Sequence, residues 1–469
     1  MSDHGKVSLG TGAASPLPAE HSVPLFWPMA AAWHLGEQAL SLVQRSADFA
    51  TEAAVIDHPP QPAWATPNQV RLELATMRLR EFTDSAAQGI PILVDAPFAG
   101  HSSTIADYAP GQSLVQVLMA AGAPRVLVTD WKSATPAMRY FDIDTYLAEL
   151  NVAVDDLGGQ VHKGVSSPIS PPRKPAARCS ARRPECRVAQ LRKRRTTPQC
   201  AALQAFPSGW PRHAASALSH GLPIVHYGLR RASRIHPHAG ASAGVKWVMT
   251  RPMGLCQGGW LSAMYAARFP GKVKSLVLAG SPIDTDAGDG PIKRLAHSLP
   301  LQTYRDMVAA GQGLMRGSLM LAGWKNMHPA EQYANKYATL YQNIEDRSQV
   351  ARTEQFERWY ENPVDLPGAY YLQAIEQLFK ENRFAKGQFV GLGRALSLRD
   401  ITIPTYLLGG EADDITTPEQ VFAAADLIGT PKHQIVRKLV PGGHIGLFMG
   451  SGTLKAAWPG IAEWVLGHR

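Results

Sequence analysis

The sequence predicts an α/β fold: a doubly wound, mostly parallel sheet with a helical cap insertion and a basic insertion. Three observations carry this. Compact apolar runs recur at residues 90–94 (IPILV), 125–129 (RVLVT) and 273–278 (VKSLVL). Stretches with helical spacing, at 113–121, 143–157 and 255–269, lie between or beside them. Buried strands alternating with helices of this length are the pattern of a parallel sheet covered on both faces. From about 284 to 399 the apolar spacing stays helical without strand signals, which reads as a cap inserted into the sheet domain.

The chain of 469 residues is 45% hydrophobic and 18% charged, enough apolar material for a sizeable core and too much for wholesale disorder. No apolar run is long enough to span a bilayer, so no transmembrane segment is expected. The start, MSDHGKVSLG, lacks a basic region followed by an apolar one, and a secretory leader is not expected. Four cysteines do not make a disulfide scaffold and point to a reducing, cytoplasmic compartment.

In chain order, residues 1–25 read as a polar tail. Residues 26–55 read as one or two amphipathic helices, with Trp33, Ala39, Leu40, Val43 and Phe49 at helical spacing. Four prolines make 58–67 a linker, and 70–82 alternates loosely as a strand. Further strands are expected at 403–408 and 434–440. The resulting division is 1–68 tail and helices, 69–162 first half of the core, 163–252 basic insertion, 253–284 turn, helix and strand, 285–400 cap, and 401–469 the end of the core.

The formal charge of +9 comes from one segment. Residues 163–252 hold 17 Lys and Arg against a single acid, Glu185; the remaining chain holds 30 basic and 37 acidic residues. The segment also carries Cys179, Cys186 and Cys200, and shows no sustained period of 2 or 3.6. Three readings compete: a basic arm for anionic surfaces, a zinc module from those cysteines and His213, or sequence that did not evolve as coding. The cysteine spacings of 7 and 14 lack the close pair of a zinc site. The near absence of acids beside Arg, Pro, Ala and Ser favours the third reading, in which the segment is disordered. Pro252 cannot donate to a ladder and argues against a good inner strand just before residue 253.

Residues 254–259, Gly254-Leu255-Cys256-Gln257-Gly258-Gly259, form a G-x-nucleophile-x-G turn with cysteine as nucleophile. Flanking glycines let such a turn fit between strand and helix, and the helix N-terminus favours a thiolate. The pattern alone also fits a buried structural cysteine. Its surroundings decide: a helix with a Pro270-Gly271 stop follows, then a strand. Downstream, an apolar run (PTYLLGG, 404–410) ends in Glu411-Ala-Asp413-Asp414, and a second (IVRKLV, 435–440) ends in Pro441-Gly442-Gly443-His444. Nucleophile, acid and histidine in that order after successive strands is the arrangement of an α/β-hydrolase. Cys256 is the expected nucleophile, His444 the base, and Asp413 the orienting acid with Asp414 as the alternative. Oxyanion donors are expected from the backbone of Gln257 and of Phe98 or a neighbour in Asp95-Ala-Pro97-Phe98-Ala-Gly-His101. Gly391-Leu-Gly393 lacks the rest of a dinucleotide loop, no phosphate loop is present, and no metal set is apparent.

GLCQGG, PTYLLGG with EADDI after it, PGGHIG and the Asp130-Trp131 pair after a strand resemble the polyhydroxyalkanoate synthases and the intracellular polyhydroxyalkanoate depolymerases. The resemblance runs from about 70 to 162 and from 254 to 469. It implies an α/β-hydrolase fold, a Cys-Asp-His triad, no cofactor, and a hydroxyacyl polyester held in cytoplasmic granules; it admits a homodimer. GLCQGG and Asp365-Leu-Pro-Gly-Ala-Tyr370 are synthase-like, which would make CoA a co-substrate. Asp95 to His101, Gly410 to Ile415 and Gly443 to Phe448 are closer to the depolymerases, and cleavage of polyester is the leading expectation. A non-catalytic granule-binding protein is the reading from another class, with no specific nucleic-acid partner. A Met- and Leu-rich cap (Met307, Leu314, Met315, Leu319, Met320, Leu321, Met327) suits a greasy ligand and equally a plain helix core. Trp27 and Trp33 suit a granule surface or packing on the sheet.

Overall fold

A computed structural model describes residues 27–84, 87–157 and 249–468, with side chains from residue 37 onward. The expectations for the tail, for most of the basic segment including Cys179, Cys186, Cys200 and His213, and for the side chains of Trp27 and Trp33 lie outside the described residues.

Eight strands form one sheet: β1 Gln69–Glu73, β2 Met77–Glu81, β3 Ile92–Asp95, β4 Val126–Trp131, β5 Arg251–Leu255, β6 Leu276–Ala279, β7 Thr405–Gly410 and β8 Ile435–Val440. Their order is β1-β2-β4-β3-β5-β6-β7-β8. β2 runs antiparallel to β1 and β4, and the remaining pairs are parallel. This is the α/β-hydrolase fold. Every residue of β3 to β7 is buried, as expected of central parallel strands with helices on both faces. A first helix, α1 Trp27–Asp57, precedes the sheet, and the covering helices include α2 Leu114–Ala120, α3 Ile143–Leu157 and α4 Gln257–Arg268. Ser113 caps α2 by accepting from the Gln116 N–H, which satisfies one of its free amides.

Three expectations need correction. Residues 70–82 are a hairpin, β1 and β2, rather than one strand. The Glu149 carboxylate on α3 accepts the N–H groups of Ala75 and Thr76, pinning the turn by a contact 73 or 74 residues away in sequence. Pro252 does lie in a central strand. The Arg251 N–H bonds the Pro91 carbonyl on the β3 side. Successive residues of a parallel strand address alternate neighbours, so the Pro252 nitrogen faces β6. There the ladder opens between the Thr250↔Val273 bridge and Met253↔Val277, and a missing donor breaks nothing. The core therefore resumes at Arg251, two residues before the expected edge of the insertion. Finally, α1 docks on the cap instead of the sheet: Ile56, with Phe49 and Ala53 beside it, packs with Leu340, Ile344 and Val350.

The cap holds α5 Pro291–Ser298, α6 Leu301–Ala310, α7 Gly317–Lys325, α8 Lys336–Gln342, α9 Arg347–Tyr360 and α10 Gly368–Gln373. It also contains two short antiparallel pairs, Leu314–Met315 with Leu366–Pro367 and Val390–Gly391 with Arg394–Ala395. Two-residue strands are too short to leave a period in sequence.

Candidate active site

The turn after β5 presents Cys256 with φ 50° and ψ −120°, a left-handed conformation that is strained for a residue with a side chain. Its backbone is held on both sides: the Cys256 N–H bonds the Ala279 carbonyl at 2.8 Å, and its own carbonyl accepts the Gly259 N–H at 2.9 Å. Two glycines make the turn possible. A Cβ at Gly254 would lie 2.4 Å from the Gly259 Cα, and one at Gly258 would lie 2.1 Å from the Asp95 carbonyl oxygen. Cys256 is the N-cap of α4, and its side chain makes no capping hydrogen bond to the helix.

His444 lies in the loop after β8, buried, with its ring edge-on to Phe448 at 5.3 Å. Its Nδ1 is 2.8 Å from Oδ2 of Asp413, in the loop after β7. The other carboxylate oxygen of Asp413 accepts the N–H groups of Ile415 at 3.0 Å and Thr416 at 2.8 Å, so its orientation is over-determined. Burial alone would keep His444 neutral. The charges of Cys256 and Asp413, with a hydrogen bond to each, outweigh burial and push its pKa up to about 10. The loops after β5, β7 and β8 thus bring together Cys256, His444 and Asp413.

Asp414, the alternative acid, does not reach this group. Its carboxylate pairs with His328 of the cap, 2.8 Å away, and the two side chains, nearly half exposed, line the same cavity as Cys256 and His444. The two expected oxyanion residues differ in outcome. The Gln257 N–H sits at the head of α4 beside Cys256. The Phe98 N–H is engaged, donating to Oε1 of Gln257 at 2.5 Å, which corrects its expected role.

Cys256 and His444 open on a cavity of about 340 Å³. Its walls are mainly apolar: Trp324, Met327, Phe356, Trp359 and Tyr360 from the cap, with Ile445 and Phe448 from the core. Of the Met- and Leu-rich cap residues singled out from sequence, only Met327 lines it; Leu314, Met315 and Leu321 are buried in the core. His101 also lines the cavity, stacked on Trp359 at 4.6 Å and Tyr360 at 5.1 Å. Burial pushes its pKa down to about 4, so the ring is neutral, and its Nε2 lies 3.2 Å from the Tyr360 carbonyl.

Sequence reasoning missed Asp95. It is fully buried at the end of β3, directly beneath the turn, and accepts from Ser262 Oγ of α4 at 3.0 Å and Thr129 Oγ1 of β4 at 3.2 Å. The signal was present: a charged residue closing an otherwise apolar run. His328 and Trp359 had no local signal, because only the packing of the cap brings them to the site, and Tyr370 was legible only as the end of a synthase-like segment. Among the described residues no group of three or more His, Cys, Asp or Glu is arranged to hold a metal ion.

Residues 226–453 match a family described as a protein of unknown function, DUF3141. The chain is 29% identical over 213 residues to a poly(3-hydroxyalkanoate) polymerase subunit PhaC of Haloferax mediterranei, covering 45% of this chain and 42% of that one. It is 27% identical over 213 residues to the subunit of the same name from Allochromatium vinosum, covering 45% and 58%. The chain thus spans about half the length of the curated relatives it matches. A monoacylglycerol lipase of Paleococcus ferrophilus is 13% identical with a TM-score of 0.43, over 85% of this chain and all of that one. The chain resembles the polyhydroxyalkanoate synthase group of α/β-hydrolases.

Proposed function

We propose that this chain transfers hydroxyacyl groups through a thioester on Cys256. The carrying observation is the buried Asp413–His444 pair beside a cysteine on a strained turn, facing an apolar cavity. His444 held as an imidazolium beside Cys256 forms the ionic pair in which sulfur attacks as thiolate. The sulfur bonds to the acyl carbonyl carbon of a hydroxyacyl-CoA, and the developing oxyanion receives the Gln257 N–H. The carbon–sulfur bond to CoA breaks, and the departing thiolate takes the His444 proton. In the second step a hydroxyl attacks the Cys256 thioester, His444 takes the hydroxyl proton, and the Cys256 sulfur leaves. Asp413 keeps the ring oriented throughout.

A hydroxyl of a second hydroxyacyl unit as acceptor makes polymer; water as acceptor makes free hydroxyacid. The names of the relatives support polymerisation, which the sequence alone ranked second. Hydrolysis of polyester is the second reading, supported by the depolymerase-like segments around Asp95, Asp413 and His444. Polymerisation uses a hydroxyacyl-CoA and releases CoA, hydrolysis uses polyester and water, and neither needs a resident cofactor. Association with a polyester granule belongs to the same proposal. No helix among the described residues is long and apolar enough to cross a membrane. Incubation with 3-hydroxybutyryl-CoA should release CoA and form polymer. Soluble hydroxyacids from amorphous polymer, without CoA-dependent synthesis, would assign hydrolysis instead. Neither product would reject catalysis on these substrates.

A further inference from the structure

Gln257 contributes two separate things to the site. Its backbone heads α4, while its side chain, 3% exposed, does not line the cavity. The carboxamide instead fills a seam between three segments. Oε1 accepts the Phe98 N–H of the loop after β3 at 2.5 Å, and Nε2 donates to the Tyr370 hydroxyl of the cap. Tyr370 is itself fixed: its N–H bonds the Phe141 carbonyl at 3.0 Å, and its ring lies 5.6 Å from Phe98 and 4.7 Å from Tyr146. The same seam leaves no room for a Cβ at Gly258, so the turn and the loop after β3 touch backbone to backbone. A carboxamide accepts at one end and donates at the other, which a methionine of similar size cannot do.

We infer that the Gln257 side chain is a positioning residue that locks the loop after β3 and the cap onto the nucleophile turn. It also withholds the Phe98 N–H from substrate, because one N–H cannot serve both acceptors. The oxyanion donor left on the turn is the backbone N–H of Gln257. Tyr370 acts through this carboxamide and not on the substrate. The kinetic half of the inference rests on acyl transfer at Cys256; the structural half does not.

The test uses the full chain with Gln257→Met, Tyr370→Phe and the double variant. The first readout, hydrogen exchange at the Phe98 amide, needs no substrate. Gln257→Met should speed it by about tenfold or more through loss of a buried hydrogen bond. The second readout is the burst of p-nitrophenolate as p-nitrophenyl butyrate acylates Cys256. Gln257→Met should slow acylation by about 10- to 100-fold with KM within about threefold, the signature of misplacement without lost binding. Tyr370→Phe should slow it less, and the double variant should match Gln257→Met alone. Unchanged Phe98 exchange overturns the lock. Faster acylation in Gln257→Met would make the carboxamide a plug competing with the oxyanion, and additive losses would give Tyr370 a separate role. If wild type fails to acylate, the acyl-transfer reading falls and the exchange measurement alone decides the lock.

Discussion

Asp95→Asn tests the electrostatics beneath the nucleophile turn. The Asp95 carboxyl is fully buried and accepts from two hydroxyls, Ser262 and Thr129. Burial dominates and pushes its pKa up to about 8, with the two hydrogen bonds pulling the other way. The unfolded carboxyl ionises near 3.8. Between about pH 4 and pH 8 the unfolded chain has therefore released a proton that the folded chain keeps. Stability attributable to this group falls as pH rises through that window and levels off above the folded value. At about 1.4 kcal/mol per pH unit, the loss reaches about 4 kcal/mol at pH 7. An asparagine has the same shape and no proton to lose, and the two hydroxyls can turn to meet its amide. Asp95→Asn should therefore match wild type in urea unfolding near pH 4 and exceed it increasingly toward pH 8, by about 4 kcal/mol at pH 7. Taking the difference between the two proteins at each pH cancels the other titrating groups. A difference that stays constant with pH, or that shrinks from pH 5 to pH 8, would refute a protonated Asp95 in the folded chain.

Cys256→Ala should abolish burst acylation by p-nitrophenyl butyrate, whereas Cys179→Ala, Cys186→Ala and Cys200→Ala should leave it unchanged; loss in any of those three would displace Cys256 as nucleophile. Asp413→Asn should lower the acylation rate by about a thousandfold or more through the wrong histidine tautomer, while Asp414→Asn, which breaks only the His328 contact, should change it by less than about threefold; comparable losses would put the acid assignment in doubt. Removing residues 163–248, which keeps β5 whole, should not lower the melting temperature, because the segment has no periodic apolar pattern with which to bury a core; a lower melting temperature would show that it stabilises the fold.

The parts legible in the sequence are those that short-range sterics and period determine. The turn at 254–259 shows itself because no side chain fits where Gly254 and Gly258 approach their neighbours. The apolar runs of β3, β4, β6 and β7 show themselves because strands buried on both faces must be apolar throughout. Asp413 can be read because it follows such a run, β7, whereas Cys256 is marked by its glycine-flanked turn and His444 by the Gly-rich loop after β8. Long-range contacts decided the rest. Asp413 and Asp414 are adjacent and chemically equal in sequence; only the fold turns one to His444 and the other to His328. Pro252 looked unfit for a central strand until the register showed that its nitrogen faces a gap in the ladder. The Phe98 N–H looked free until the Gln257 side chain was seen to occupy it. Hydrogen-bond partners more than a hundred residues apart leave no spacing in the chain, so which donors are spent and which remain for chemistry is settled only when the loops after β3 and β5 and the cap meet.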